Sequence, residues 1–193
     1  VWRNAQQISV EPGYGGGTLW QHVLQSVRLV LMGFAVAIAT GVPVVPAHNF
    51  IYRGAVRAGR EVMRSGALGR IVFASFVSNH TISPEHSQGW RARLSLGSGG
   101  ALMDSGHHQV YQSVGFMGAP VSVHAFTSRL VLTGMEGEDT ALVQLQYPDG
   151  AVGSIFQSWT NVNGGAVDGI RIVGTKGSLE ITDALYVNGQ KQN

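Results

Sequence analysis

The amino-acid sequence predicts an α+β domain, an open and mostly antiparallel sheet with helices packed on one face. Three observations carry that expectation. From Val121 onward the chain is a succession of short runs rich in β-branched and aromatic residues. Two of the breaks between them, Tyr147-Pro148-Asp149-Gly150 and Gly174-Thr175-Lys176-Gly177, are hairpin turns. The helical patterns precede this block and do not alternate with it, so the helices cover one face of a sheet built from hairpins.

At 193 residues and 44% hydrophobic content the chain can bury a core, and one domain with an added arm is expected. The boundary is placed between an atypical segment, residues 1–40, and the α+β domain, residues 41–193. Cysteine is absent, which excludes disulfides and thiolate chemistry and makes a cytoplasmic location the default. The net charge is +2 with basic residues scattered, not the stripe with interleaved aromatics that a nucleic-acid partner needs.

Residues 1–18 carry no clear periodicity, and Gly13-Tyr14-Gly15-Gly16-Gly17 is read as a flexible loop, since a dinucleotide fingerprint needs glycines at fixed offsets inside a βαβ unit. Residues 19–39 read as helix. The apolar stretch 29–45 is interrupted by glycine, threonine and proline and is short for a bilayer, so a buried helix and strand broken at Thr40-Gly41 are expected, with no membrane partner. Residues 42–50, with two prolines, read as an edge strand.

In the next segment Ala55, Val62, Met63 and Leu68 form an apolar stripe opposite Arg57, Arg60 and Arg64, a helix that Gly66 and Gly69 stop. Residues 70–79 read as a half-buried strand, 80–100 as a long polar loop, and 102 to about 115 as a helix. Five strands then follow within 121–131, 139–150, 151–161, 169–177 and 178–187.

The stretch GSGGALMDSGHHQVYQ, residues 97–112, carries the chemistry. On a helix Asp104, His107, His108 and Tyr111 fall at i, i+3, i+4 and i+7, so an acid and an imidazole share a face. The same spacing also suits an acid that merely favours a helix start. A zinc site is not expected, because adjacent histidines on one helix do not converge on one ion and no HExxH element exists.

The order AHNF, SGALGRI, WR, GGALMDSGHH, ED, DGAVGSIFQSW and IVGTKGSLEI, over about residues 41–185, resembles the C-terminal domain of the Gfo/Idh/MocA oxidoreductases. The Asp-x-Gly-x-His element at Asp104, Gly106 and His108 is its most specific part. The resemblance implies NAD or NADP as cofactor, a sugar, inositol or related polyol as substrate, and an oligomer formed through the sheet. It implies Asp104 and His108 as the catalytic pair, with Tyr111 where the family often has an acid.

Residues 1–40 hold no readable Rossmann unit, and Glu11-Pro12 stands where the family has Glu-Lys-Pro, without the lysine. The chain is therefore expected to be a substrate-side half whose cofactor domain is missing or truncated, with residues 1–40 as its remnant and no assignable cofactor-binding residues.

Oxidising a secondary alcohol requires a base near neutral pKa at the hydroxyl, which histidine supplies. Asp104 would fix the tautomer of His108 or bind a neighbouring hydroxyl. Trp90-Arg91 either lies against the substrate or anchors the loop on the sheet, Asn49 and Tyr111 are further candidates for substrate contact, and Lys176 is a solvated turn residue. The alternative function is a non-catalytic ligand-binding or oligomerisation module that self-associates through an uncovered sheet face.

Overall fold

The computed structural model describes residues 48–97, 99–161 and 168–192, with Met32. The chain divides into two units, Val1–Ala47 and His48–Asn193, and every described element belongs to the second. The helix expected at 19–39, apart from the helical Met32, and the strand expected up to residue 47 lie outside the described residues.

A 3-10 turn, Asn49–Tyr52, leads into α1 (Gly54–Arg64) and β1 (Ile71–Asn79). Three short pieces follow: α2 (Pro84–Gln88), a 3-10 turn at Trp90–Ala92, and α3 (Leu94–Gly97). Then come α4 (Ala101–Asp104) and α5 (His107–Met117). The remaining strands are β2 (Ser122–Ser128), β3 (Thr140–Gln146), β4 (Val152–Ser158), β5 (Gly169–Gly174), β6 (Ser178–Ile181), β7 (Leu185–Val187) and β8 (Gln190–Lys191).

The strands form one sheet in the order β2-β3-β4-β1-β5-β6-β7-β8. All pairs are antiparallel except β1 with β4, where Phe76 lies opposite Ile155. That parallel pair puts the ends of β1 and β4 at the same edge, and the chain between them carries the candidate site. Alternation along β1, β3 and β4 buries Ala74, Phe76, Val143, Leu145 and Ile155 on one face, where they join Ile170, Ile172 and Leu179. A smaller cluster of Ala92, Ala101, Met135 and Trp159 sits beneath the short helices.

α1 matches its pattern: Val56 and Gly59 are buried, Arg57 and Arg64 exposed. It lies so close to the sheet that a Cβ on Gly59 would come 2.8 Å from Ile181 Cδ1. No helix among the described residues is long and apolar enough to cross a membrane.

Four expectations on local structure need correction. Asn49 and Phe50 are in a turn, not a strand, because the Phe50 amide donates to the Tyr111 hydroxyl and Arg53 N closes the turn on Phe50 O. The loop at 80–100 contains three helical pieces, since a chain this close to the core must satisfy its backbone locally; Leu94 N also donates to Glu136 Oε2. Residues 178–187 form two strands, split where Asp183 Oδ1 accepts from Thr182 Oγ1 and the Tyr186 hydroxyl. The helix expected from Leu102 is two helices, broken at Ser105-Gly106. There Trp159 Nε1 donates to Ser105 Oγ, and a Cβ on Gly106 would fall 2.6 Å from Leu102 O.

Candidate functional site

The break between α4 and α5 decides how the motif residues meet. Asp104 ends a single helical turn and His108 is the second residue of the next helix, so they are not stacked one turn apart on a continuous helix. Both nevertheless line one cleft of 400 Å³, whose walls include Phe50, Arg53, His80 and Asp168. A second cleft of 390 Å³ adjoins it through Phe50, Arg53, Ser78, Gln109 and Asp168, and adds Thr182 and Asp183.

Asp104 has a partner of its own in Arg91. Arg91 Nε donates to Asp104 Oδ1 at 2.9 Å, and the Arg91 guanidinium lies 4.3 Å from the Trp90 ring centre. The ion pair is partly exposed and contributes about 1 kcal/mol or less to stability, so its main effect is to aim the carboxylate. Trp90 is 52% exposed.

His108 takes as partner the residue three positions on along α5. Its Nδ1 lies 2.7 Å from the Tyr111 hydroxyl, which also accepts from Phe50 N at 3.1 Å. Asn49 Oδ1 is 3.5 Å from the same hydroxyl. The Phe50 ring stacks on the imidazole at 4.1 Å and 11°, and the Arg53 guanidinium lies 3.5 Å from the Phe50 centre. Thus Tyr111 joins His108 Nδ1 to Asn49, while Asp104 is held by Arg91. His107 is exposed, with its ring 4.0 Å from that of His108.

Burial holds the His108 pKa below the ordinary histidine value; the neighbouring His107, Arg53 and His48 push it the same way, and Asp104 opposes them. The imidazole is therefore neutral at pH 7. A depressed folded-state value means the unfolded chain binds the proton first. Stability is accordingly expected to fall as pH drops from the unfolded value near 6.5 toward the lower folded one, with no contribution above it. An NMR titration of His108 should give a midpoint below 6.5, and Arg53→Met should raise it.

Glu138 and Asp139 organise the site although neither touches the cleft. Glu138 takes three successive amides at the start of α4: its Oε2 accepts from Gly100 N, its Oε1 from Leu102 N, and its backbone oxygen from Ala101 N. Asp139 Oδ2 accepts from Leu130, Val131 and Leu132 N, and the Asp139 backbone oxygen accepts from Trp159 N. The sequence signal was two adjacent acids just before a strand, in an otherwise weakly charged chain. Their burial, 5% and 0% exposed, shows that they serve the backbone and not solvent.

α5 inverts the usual amphipathic order. It buries Gln109, Gln112 and Ser113 and exposes Val110 and Val114. Ser113 Oγ pairs with the Tyr147 hydroxyl at 2.8 Å, and Gln112 Nε2 donates to the His108 backbone oxygen. The polar side of the helix thus braces the residues behind the cleft.

Comparison with known proteins agrees with this architecture. The family model described as the GFO/IDH/MocA C-terminal domain matches residues 56–180. A solved levoglucosan dehydrogenase, in complex with NADH and levoglucosan, is similar at 24% identity and a TM-score of 0.65, over 73% of this chain and 41% of that one. WlbA dehydrogenase from Bordetella pertussis, in complex with NADH and UDP-GlcNAcA, is similar at 26% identity and 0.65, over 70% and 41%. An inositol dehydrogenase homolog from Azotobacter vinelandii, complexed with NAD+, gives 24% identity and 0.66, over 75% and 41%. The chain therefore spans about two fifths of the length of these structures. No curated protein matches it. With the family match covering well over half of the sequence, on a sheet of the same architecture, the chain belongs to the GFO/IDH/MocA family through that family's C-terminal domain.

Proposed function

We propose that this domain is the substrate side of an NAD(P)-dependent oxidoreductase acting on the CH–OH group of a sugar, an inositol or a related polyol. The observation that carries the reading is the meeting of His108 and Asp104 in one cleft, with the carboxylate aimed by Arg91. The similar proteins named above, solved with NADH or NAD+, support the cofactor class.

The described residues do not themselves fit a dinucleotide. Among them, β1 is the strand that runs directly into a helix, and its connection, residues 80–83, carries no glycine. A pyrophosphate needs such a glycine turn at a helix N-terminus. The chemistry of these residues is accordingly confined to the substrate. His108 hydrogen-bonds the reacting oxygen and is the route by which that oxygen's proton leaves or arrives. Asp104 accepts from a neighbouring hydroxyl, and Arg91, held over Trp90, closes the rim. We include residues 41–193 in this domain and a cytoplasmic location in the same proposal.

A second reading, a non-catalytic oligomerisation module, draws on the uncovered sheet face. Phe126 and Leu142 lie opposite each other there and are 57% and 37% exposed. Leu142 pairs with Phe156 and that with Val77, so a continuous apolar row crosses four strands. A homo-oligomer through this row is compatible with either reading.

Turnover separates the two. With an intact nicotinamide-binding domain of a relative joined ahead of His48, the enzymatic reading expects polyol-dependent reduction of NAD+ or NADP+, falling about 100-fold or more in His108→Ala. Polyol binding with no turnover in any such fusion would instead favour the module.

A further inference from the structure

We propose that Tyr111 is a positioning residue that keeps the proton of neutral His108 on Nε2, so that the imidazole meets the cleft as a hydrogen-bond donor. The inference deepens the proposed function and rests on it only for what occupies the cleft.

The protons around the Tyr111 hydroxyl oxygen fix the tautomer. Phe50 N–H can only donate, and it does so to the Tyr111 hydroxyl at 3.1 Å. The hydroxyl has a single proton to give and two takers, His108 Nδ1 at 2.7 Å and Asn49 Oδ1 at 3.5 Å. The first distance is that of a good O–H donor, and the second lies beyond the useful range. A phenol also gives its proton more readily than a neutral imidazole N–H does. Nδ1 is therefore the acceptor, and the imidazole's one proton sits on Nε2.

The ring is not free to turn away from this arrangement. Phe50 stacks on the imidazole at 4.1 Å and 11°, Phe50 itself is fixed by its amide bond to Tyr111, and Arg53 lies on the Phe50 ring. With the plane held and Nδ1 occupied, Nε2 is the nitrogen left for the cleft that His108 lines.

An acid at position 111 would do the reverse. A carboxylate can only accept, so it would draw the proton to Nδ1 and leave Nε2 with a lone pair, a base toward a substrate hydroxyl. The tyrosine instead presents N–H to an oxygen that accepts. The substrate form this resting site recognises is a carbonyl compound, a keto-sugar or keto-polyol, ahead of the corresponding alcohol.

The test is a long-range nitrogen-15 correlation spectrum of the full chain at about pH 8, above the ordinary histidine range, with His108 assigned by its loss in His108→Gln. The expected result is the Nε2–H tautomer in excess by roughly fivefold or more, as one good hydrogen bond gives. Its Nδ1 resonance should show a hydrogen-bonded acceptor that moves to the free-acceptor position in Tyr111→Phe. Tyr111→Glu should reverse the tautomer. A dominant Nδ1–H form in the unaltered chain, or an Nδ1 resonance unmoved in Tyr111→Phe, would overturn the proposal. The unaltered chain decides by itself if the variants fail to fold. Either failure leaves polyol binding as it was, which separates this inference from the functional reading beneath it.

Discussion

Gly100→Ala is expected to destabilise the domain by about 3–5 kcal/mol and to abolish ligand binding in the cleft. A Cβ there would fall 2.0 Å from the Glu138 backbone oxygen and 2.4 Å from its nitrogen, both rigid backbone atoms beside the sheet. Relief requires that the segment leading into β3 and the start of α4 move apart. That breaks the three amide bonds to Glu138 and shifts Asp104 away from Arg91. Denaturant midpoints and polyol titration read both effects. The internal control is Gly115→Ala, a helical glycine with open space around its Cβ position, where helix propensity should add up to about 1 kcal/mol.

Asp139→Ala should cost a similar amount, about 3–5 kcal/mol, by a different route. The side chain is fully buried, and its Oδ2 takes three consecutive amides whose hydrogen bonds among the described residues all go to this carboxylate. Removing it orphans those donors at once, while the backbone bond to Trp159 keeps β3 in place. Asp139→Asn retains an acceptor oxygen and should lose roughly half as much. A urea midpoint that falls with an unchanged slope is the expected signature. A fall of less than about 1 kcal/mol would mean that the loop is not held by this carboxylate.

The sheet was largely legible because its signals are local. Alternating runs and turns such as Tyr147-Pro148-Asp149-Gly150 specify hairpins by themselves, and Gly150 does adopt φ 86°. The parallel pairing of β1 with β4 was not legible, since it joins segments separated by all the site-bearing helices, and no local pattern encodes such a partner. Position 183 failed for another reason: the alternation of residues 178–187 runs on through a turn that only the Asp183 side chain reveals.

The candidate site was legible in its residues and less so in its geometry. Asp104 and His108 do share a cleft, but helical spacing overstated their connection, because the break at Ser105-Gly106 depends on Trp159, more than fifty residues away in sequence. Tyr111, a candidate for substrate contact, also hydrogen-bonds His108, and its hydroxyl is tied to the Phe50 amide, a partner no local spacing reveals. Glu138 and Asp139 passed as a motif pair because a carboxylate that caps backbone amides looks, in sequence, like any surface acid.

The most direct test of the central claim is calorimetric titration of the full chain with a panel of inositols, hexoses and their keto forms, with and without NADH, for the unaltered protein and His108→Ala. Saturable heat is expected for at least one compound, with keto forms ahead of their alcohols, and affinity at least tenfold weaker in His108→Ala, as loss of a buried hydrogen bond at the reacting oxygen implies. Equal binding by the two proteins, or no heat from any compound under either condition, would contradict it.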